Sequence, residues 1–464
     1  MDTLIKVSYL VASTLFIFGI KYLASPKTAR KGNLISSIGM LIAIVITLFD
    51  KHVLTFEWII IGLVIGAAIG AILAIKVPMT GMPQMVGLLN GFGGGASMLV
   101  ALSEYYKIHL GTVAGASFNL ELTATISLSI LIGAVTFTGS LIAFGKLQGI
   151  VTGRVVKYPG QHPLNLFLLL LVIAGGVYFS INPELEWLIL TISGISLLLG
   201  VLLVLPIGGA DMPVAISLLN SYSGLAAAST GFVLQNEQLI VAGALVGASG
   251  IILTNIMCKG MNRSLMNVVL GGWESAGSAG PATQTVKGNV KSIESEELAM
   301  LFDAAENIII VPGYGMAVAQ AQHAVRDLFN ILEAKGKNVR FAIHPVAGRM
   351  PGHMNVLLAE AQVPYDKLYA MEDINDDFPN TDIAFVIGAN DVVNPAARHD
   401  KNSPIYGMPI LNVDYAKTVV INKRSLNVGY AGIENELFFY PNALMYFGDA
   451  KEAVNKLVHE LKNL

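Results

Sequence analysis

Two polar stretches in the last third of the chain have the residue types that bind a phosphorylated nucleotide. The first is a G-x-G-x-x-V pattern made by Gly313, Gly315 and Val318, directly after the apolar run "NIIIVP". Between a strand and a helix, the first glycine permits a tight turn, the second lets a pyrophosphate approach the backbone, and the helix start favours negative charge. Val318 stands where the fuller motif has glycine, which predicts looser helix–strand packing there.

The second stretch is Lys423-Arg424, which follows the apolar run "TVVIN". Two cations at the end of a strand suit a 2'-phosphate, so this pair favours NADP over NAD. The alternative is a solvated strand end without a ligand. No Ser-His-Asp, metal-ligand or P-loop pattern stands out, and His344 and His353, which flank a Gly/Pro-rich loop, are expected to be structural.

The elements around these stretches alternate between apolar runs and helical patterns. The predicted strands are "NIIIVPG", "VRFAIHPV", "IAFVIGAND", "MPILNV" and "TVVINKR", and the predicted helices are "SIESEELAMLFDAA", with Ser292 and Ser295 as cap candidates, "MAVAQAQHAVRDLFNILEAKG", "MNVLLAEAQV" and "DAKEAVNKLVHELKNL". This alternation predicts a Rossmann-like doubly wound parallel sheet with helices on both faces. Ligands of such sheets bind beyond the carboxyl ends of the strands. The acidic run "MEDINDDF" is interpreted as a solvated loop, with a partner-docking surface as the alternative.

The composition separates a membrane part from this α/β part. The chain has 464 residues, is 54% hydrophobic and only 13% charged, and charges are sparse up to about Asn262. Soluble domains carry roughly 25% charged residues. The single cysteine, Cys258, excludes an internal disulfide, and the net charge of -3 gives no footprint for nucleic acid.

Nine apolar stretches are long enough to cross a bilayer, which takes about 20 residues. The fourth and eighth are the weakest by hydropathy. The predicted spans are Leu4–Ile20, Leu34–Phe49, Trp58–Ile75, Met82–Leu102, Leu122–Phe144, Leu164–Phe179, Leu185–Leu205, Pro213–Leu234 and Leu239–Met257. The first is interpreted as a retained span because it lacks a basic n-region and a clear cleavage site.

Charged residues alternate between the connecting loops. Lys and Arg follow the odd-numbered spans, at positions 21, 27, 30, 31, 76, 146, 154, 157, 259 and 263, whereas Asp and Glu occupy the opposite loops. The positive-inside rule then places the C-terminal domain in the cytoplasm and the N-terminus outside. The predicted domains are 1–262 in the membrane, a flexible Gly/Ser-rich linker at 263–289, and 290–464 for the α/β part.

The membrane part contains an internal repeat. "MPQMVGLLNGFGG" from Met82 is similar to "MPVAISLLNSYSG" from Met212, and each is followed by a similar second span, from Gly133 and from Gly243. Parallel repeats often surround a transport pathway, although two Gly-rich helices can also be alike by chance. Glycines at four-residue spacing, at 62, 66 and 70 and at 243 and 247, are expected to let helices pack closely.

Three polar residues are candidates for a proton path through this repeat. Asn90 and Asn220 occupy equivalent places in the two copies. A buried amide needs a partner, so each could hold two helices together or line a hydrated path. Asp211 precedes Met212 and is either a helix cap at the membrane edge or a gate.

Over essentially its whole length the chain resembles the beta subunit of proton-translocating NAD(P) transhydrogenase. The motifs that carry this resemblance are "GAVTFTGSLIAFGKLQG", "IGGADMPV", "LLNSYSG", "MCKGMNRS", "PGYGMAVAQAQ", "HPVAGRMPGHMNVLLAEAQVPYD", "INDDF", "VIGANDVVNPAA" and "KRSLNVGYAG". The resemblance implies a membrane proton channel and a soluble domain that binds NADP(H). It also implies an alpha subunit that holds NAD(H), direct AB-specific hydride transfer from NADH to NADP+ without a catalytic side chain, inward proton flow, and a complex with two copies of each subunit in a bacterial inner membrane.

The resemblance also implies a set of NADP(H) contacts, with the 2'-phosphate on Lys423, Arg424 and Ser425 and a lid at Gly429-Tyr430. Together with the Gly turn they are Gly313, Tyr314, Gly315, Val318, Val346, Ala347, Gly348, Arg349, Met350, Pro351, Gly388, Ala389, Asn390, Asp391, Val392, Gly407, Met408, Lys423, Arg424, Ser425, Leu426, Asn427, Val428, Gly429, Tyr430, Asp449 and Ala450.

One residue departs from the family pattern, because many members have histidine where this chain has Asn90. Asparagine cannot take up a proton near neutral pH. The proton relay then needs another group, a water chain or a histidine of the partner's membrane segment, and we favour the last. The alternative function is a channel or transporter gated by NADP(H) without redox turnover, which would need no NAD-binding partner.

Overall fold

The computed structural model describes residues 2–23, 25–49, 56–78, 81–111, 117–153, 155–261, 264–269, 290–350, 352–401, 403, 405–428 and 433–464. Most of the predicted linker, the predicted contact Pro351 and the predicted lid residues Gly429 and Tyr430 lie outside the described residues. The chain forms two compact units, Met1–Thr254 with Val269–Gly271, and Asn255–Val268 with Gly272–Leu464.

In the first part of the chain the described residues form helices joined by turns. Its helices are α1 Asp2–Leu23, α2 Pro26–Leu48, α3 Glu57–Lys76, α4 Met82–His109, α5 Leu120–Gln148, α6 Gln161–Ile181, α7 Glu186–Val204, α8 Met212–Val233 and α9 Glu237–Gly260. All except α8 are long and apolar enough to cross a membrane. Each predicted span coincides with one of these helices.

The eighth span, one of the two weakest by hydropathy, corresponds to a largely enclosed helix. Fourteen of the 22 residues of α8 are buried, among them Ser217, Ser221 and Thr230. A helix that packs against other helices can carry hydroxyls that lipid would penalise, because neighbouring backbone groups accept their hydrogen bonds. Ser221 Oγ, for example, donates to the carbonyl of Gly247 over 2.7 Å.

Several helices extend beyond the predicted apolar limits. α2 begins at Pro26, before the cations at 27, 30 and 31, and α5 continues to Gln148. Lys146, which we predicted in a cytoplasmic loop, is instead buried in the last turn of α5. Its Nζ donates to the carbonyls of Leu205 and Ile207, at 2.6 and 2.7 Å. The cation therefore satisfies backbone acceptors just beyond the end of α7.

The internal repeat is visible in how its helices pack. α4 and α8 start at the equivalent methionines, each with proline in the first turn. A Cβ on Gly94 would lie 2.8 Å from the carbonyl oxygen of Gly133, and one on Gly224 would lie 2.8 Å from that of Gly243. These glycines occupy corresponding places in the two copies. The helix pairs α4–α5 and α8–α9 therefore each have a close glycine-to-glycine crossing, at the same place in the repeat.

The glycine stripe of α3 does not pack in this way. A Cβ on Gly62, Gly66 or Gly70 would meet nothing within 4 Å, and α3 has no buried residue. Within the described chain, the expectation of close packing is confirmed for Gly243 and is not met for α3.

The second unit is built on a six-stranded parallel sheet with the strand order β3-β2-β1-β4-β5-β6. The strands are β1 Asn307–Pro312, β2 Asn338–Ile343, β3 Leu368–Ala370, β4 Ile383–Ile387, β5 Thr418–Lys423 and β6 Ala443–Phe447. The helices are α10 Leu265–Val269, α11 Ser295–Ala304, α12 Tyr314–Val318, α13 Gln322–Ala334, α14 His353–Glu360, α15 Met371–Ile374, α16 Ala396–His399 and α17 Ala450–Asn463. This order confirms the predicted Rossmann-like doubly wound fold.

The two faces of the sheet are covered differently. Residues of α11 and α13 belong to the buried core, and the Phe302 ring meets Phe385 of β4 edge to face at a centroid distance of 5.4 Å. The other face packs on α15 and on short 3-10 turns through a core that includes Ile309, Phe378 and Leu411. Helices therefore lie on both faces, as predicted, with long helices on one face and the short α15 with 3-10 turns on the other.

Five local predictions were wrong. The acidic run "MEDINDDF" is not a solvated loop, because it forms α15 and a 3-10 turn with Met371, Ile374 and Phe378 buried in the core. "MPILNV" forms no strand; Leu411 and Val413 belong to the core under the sheet, while Met408 and Ile410 belong to a separate small cluster. β3 and β6 were not predicted. The long helix after the Gly turn is two helices, α12 and α13, separated at Gln320, which has a φ of 51°. Neither serine caps α11, because its N-cap is Glu294 and Ser295 Oγ bonds the Tyr446 hydroxyl at 2.8 Å.

Candidate functional site

Five loops that carry the predicted contacts meet at one edge of the sheet. The strands are parallel, so their carboxyl ends share that edge: Pro312 pairs with Ile387, Ile387 with Asn422, and Lys423 with Phe447. The loops after β1, β2, β4, β5 and β6 then supply residues 313–318, 344–350, 388–392, 423–428 and 448–450. The sheet therefore brings these predicted segments together where such folds bind ligands.

The Gly turn after β1 packs tightly against the turn after β4. A Cβ on Gly313 would lie 2.5 Å from Ala389, and one on Gly315 would lie 2.6 Å from the Cα of Gly388. Gly388 itself has a φ of 65°, which favours glycine. In this conformation the glycines let the turn after β1 pack against the backbone of the turn after β4. The sequence had suggested instead that they let a pyrophosphate approach the backbone.

The amides of the Gly turn are also engaged within the protein. Gly313 N and Gly315 N donate to the carbonyls of Ile387 and Gly388, both over 2.8 Å, and Met316 N donates to Gly313 over 3.1 Å. The Val318 side chain is exposed and lies outside the core. These amides would have to exchange partners before they could bind a phosphate, so other groups at this edge are better placed for it.

The two cations after β5 have different environments. Lys423 Nζ donates to Asn390 Oδ1 over 3.1 Å and to the carbonyl of Asn427, and it lies 4.8 Å from the ring centre of Phe438. Burial lowers the pKa of Lys423, an effect that the nearby Asp391 opposes. Arg424 is exposed, and within the described chain nothing pairs with its guanidinium. Lys423 therefore holds the loops together, while Arg424 is available to an anion.

The end of β6 lies beside these cations. Gly448 N donates to the carbonyl of Lys423 over 3.1 Å, and Asp449 caps α17 by accepting from Lys451 N. Asp449 and Ala450 line a small pocket of about 60 Å³ together with Lys423 and Arg424. The start of this 14-residue helix attracts negative charge, although the Asp449 carboxylate already accepts from one of its amides. The Arg424 guanidinium, unpaired in the described chain, adds to that attraction.

The loop after β2 is fixed by its two histidines. His344 is buried; its Nε2 lies 2.8 Å from the carbonyl oxygen of Pro409, and its Nδ1 accepts from Val346 N over 3.2 Å. His353 Nδ1 accepts from Arg349 N over 3.0 Å. Burial lowers the pKa of both histidines to about 4, with the Arg349 charge adding to the effect at His353. Both rings are therefore neutral near pH 7.

The loop after β4 is connected to the 407–411 segment. Leu411 N donates to the carbonyl of Val392 over 2.9 Å, and Gly407 N donates to that of Ala397 over 2.8 Å. Met408 packs in a small cluster with Ala397 and Ile410. Gly407 and Met408 thus contact Ala397, in the segment that follows the loop after β4, and help to hold that segment in place.

Three buried asparagines that the sequence analysis did not single out hold these loops in place. Asn435 Nδ2 donates to the carbonyl of Asn390, and Asn394 Nδ2 to that of Glu434, each over 3.0 Å. Asn422 Nδ2 bridges the ends of β5 and β6 by donating to Tyr446 and Gly448. Asparagine at a strand end, as in "VVIN", is the one local signal that pointed to such a role.

The proposed proton-path residues lie in the helical unit. Asn90 donates to Ser140 Oγ over 2.9 Å, which joins α4 to α5. In the second copy the position of Ser140 is taken by Gly250, where a Cβ would lie 2.8 Å from Ser221. Asn220 consequently has no such hydroxyl, and no side-chain hydrogen bond of Asn220 is present in the described structure. Asp211 occupies the N-cap position of α8 but makes no side-chain capping bond.

A series of apolar helices followed by a doubly wound α/β unit with its loops gathered at one edge defines an integral membrane protein with a nucleotide-binding type of fold. The family model described as NAD(P) transhydrogenase beta subunit matches residues 5–460. A protein named NAD(P) transhydrogenase subunit beta, from Rhodospirillum rubrum, is 50% identical over 465 residues and covers 99% of each chain. The protein of that name from a specified strain of the species matches equally well. The chain belongs to the NAD(P) transhydrogenase beta subunit family.

Membership makes the chain a subunit of an enzyme that uses nicotinamide nucleotides, and the beta designation implies an alpha subunit as its partner. Among the residues that the structure describes, no group of acidic, histidine or cysteine side chains is arranged to hold a metal ion.

Proposed function

We propose that this chain binds NADP(H) in its α/β unit and couples hydride transfer to proton translocation through its helical unit. The alpha subunit holds NAD(H), and NADH reduces NADP+ directly, with the AB stereospecificity of the family. The observation that carries the cofactor assignment is Arg424, which is exposed and has no partner among the described residues, beside Lys423 at the carboxyl end of β5. A guanidinium binds phosphate through paired, charge-assisted hydrogen bonds.

The residues at this edge fit NADP(H) in chemistry and position. Arg424, Ser425 and the start of α17 would hold the 2'-phosphate, with Lys423 maintaining the loop around it. Tyr314, Arg349 and the loop after β4 would flank the rest of the dinucleotide. Bound NADP+ supplies the hydride acceptor, and the protein groups bind and orient it. In this proposal no side chain of this chain is a catalytic acid or base.

Coupling requires that the proton and the nucleotide each favour the same state of the protein. A ligand shifts an equilibrium only by its differential affinity for the two states, and the coupling is reciprocal. Asn90 cannot carry a proton at neutral pH, so the relay passes through water or through a group of the partner. Asn220, without a hydroxyl partner in the described chain, is the candidate in this unit for hydrogen bonding to water.

The proposed assembly is a dimer of alpha–beta units in a bacterial inner membrane. The α/β unit faces the cytoplasm and the N-terminus lies outside, as the loop charges indicate. Residues 263–289 connect the two parts in this proposal. α10 already occupies Leu265–Val269, so flexibility is proposed only for the residues after it.

Reconstitution with the alpha subunit tests this function. The complex in vesicles is predicted to reduce an NADP analogue with NADH and to move protons in the same experiment. Vesicles with this chain alone should do neither. Proton flux that responds to NADPH in the chain alone, without any hydride transfer in the complex, would favour the gated-channel alternative.

A further inference from the structure

The buried His353 ring accepts a specific backbone hydrogen bond, which a residue that only filled space in the core would not need. His353 is the first residue of α14, directly after the loop that follows β2, and its side chain is 1% exposed. Its Nδ1 accepts the backbone N–H of Arg349 over 3.0 Å. Nδ1 must therefore carry a lone pair, so the ring is neutral with its proton on Nε2. That buried Nε2 has no hydrogen-bond partner in the described structure.

The ring also fixes the residue before Arg349. Gly348 has a φ of 110°, and a Cβ there would lie 2.4 Å from His353 Nδ1. Only glycine fits a backbone in this region against this ring. The turn at 348–349 therefore depends on two features: a backbone conformation at Gly348 that only glycine adopts readily, and the hydrogen bond from Arg349 N to His353.

This turn directs the Arg349 side chain toward Tyr314 in the loop after β1. The Arg349 guanidinium carbon lies 4.6 Å from the ring centre of Tyr314, and the Tyr314 and His353 rings are 6.4 Å apart. Tyr314 starts α12 at the end of β1, so the contact joins the loops after β1 and β2. A cation held over an aromatic ring is sensitive to the direction in which its backbone points.

We propose that His353 is a positioning residue for the nicotinamide nucleotide, acting through Nδ1 to hold Gly348-Arg349 and thereby Arg349 against Tyr314. The proposal rests on the proposed binding of NADP(H) to this chain. His353 itself is not assigned a contact with the nucleotide.

Two amide substitutions separate this role from general packing. In His353→Asn the Oδ1 can occupy the place of Nδ1 and accept the Arg349 N–H, whereas in His353→Gln the amide reaches the place of Nε2 instead. The full-length chain is purified, each variant's melting temperature is recorded, and NADPH affinity is measured by titration. We expect His353→Asn to bind within about threefold of the wild type and His353→Gln to bind about tenfold more weakly, the usual loss for one hydrogen bond.

Equal affinity in both variants, or weaker binding by His353→Asn than by His353→Gln, would overturn the proposal. Failure of the wild-type chain to bind NADPH would instead refute the proposed function, so the two failures are distinguishable. If His353→Gln does not fold, the ¹⁵N spectrum of histidine-labelled wild-type protein decides, with the His353 signal assigned by its loss in His353→Asn. A neutral ring protonated at Nε2 is expected. A proton on Nδ1, or a charged ring at pH 7, contradicts the proposal; the nearby groups that could alter its charge are Arg349 and Tyr314.

Discussion

Neighbouring residues with the same charge have different tasks at this site. Lys423 is partly buried and bonded to Asn390 and to the Asn427 carbonyl, so its charge is used within the protein. Arg424 is exposed and unpaired in the described chain. The sequence placed both cations at a strand end correctly. It could not distinguish them, because their difference depends on Asn390, which lies more than 30 positions away.

Arg424→Ala is predicted to weaken NADPH binding roughly 10- to 100-fold, the loss expected for a charged hydrogen bond. NADH lacks the 2'-phosphate, so its weak binding should hardly change. Calorimetric or fluorescence titration of the purified variant checks this, with Lys462→Ala, on the last turn of α17, as a control that keeps wild-type affinity. Equal losses for NADPH and NADH would show that Arg424 does not recognise the 2'-phosphate.

His344 predicts an acid-dependent loss of stability in the α/β unit. Its folded pKa is about 4, below the ordinary value of 6.5, because burial disfavours the charged ring. Between these values the unfolded chain binds more protons than the folded one, so the free energy of unfolding falls as pH drops from 6.5 toward 4. The loss is on the order of 3 kcal/mol for this group.

Denaturant titrations of residues 290–464 at several pH values measure this loss. His344→Gln keeps a donor near the place of Nε2 but cannot titrate, so its stability should depend less on pH over the same interval. If the curves of the wild type and this variant run parallel from pH 6.5 to 4, His344 is not the group responsible.

At the level of elements, the sequence predicted the central strands of the sheet better than the elements around them. β1, β2, β4 and β5 were predicted because each is a buried apolar run ending in a polar or Gly-rich stretch. β3 has only three residues, too short for a periodic signal, whereas β6 was missed although it is as long as β4, five residues each. "MPILNV" has the apolar content of a strand, yet Ile410 and Leu411 are buried by packing alone. Whether such a run becomes a strand depends on pairing partners that are distant in sequence, and the local pattern of apolar residues carries no information about them.

The repeated glycine crossing of the helices gives a test at this scale. A Cβ on Gly243 would lie 2.4 Å from the backbone nitrogen of Ala228, so Gly243→Ala should force α8 and α9 apart. We expect a clearly lower melting temperature in detergent, from an overpacking cost of roughly 1–3 kcal/mol. Gly66→Ala on α3 is the matched control, because its Cβ meets nothing within 4 Å and stability should be retained. Similar melting temperatures for both variants would contradict the proposed helix packing.

For the whole molecule, one chain carries a membrane part and a nucleotide-binding type of unit, and family membership ties the two to a single enzyme. A chain with one such unit cannot complete a transfer between two nucleotides, which is consistent with the implied alpha subunit. The proposed division of labour depends on which nucleotide this chain selects, and we propose that the groups at the ends of β5 and β6 select it by its 2'-phosphate.

The most direct test is titration of the purified full-length chain, without its partner, with NADPH and with NADH. The account predicts saturable NADPH binding at least tenfold tighter than NADH binding, since only NADPH gains the charged contacts at Arg424. Equal affinities, or preference for NADH, would contradict the assignment of NADP(H) to this chain and the roles given to the loops at the edge of its sheet.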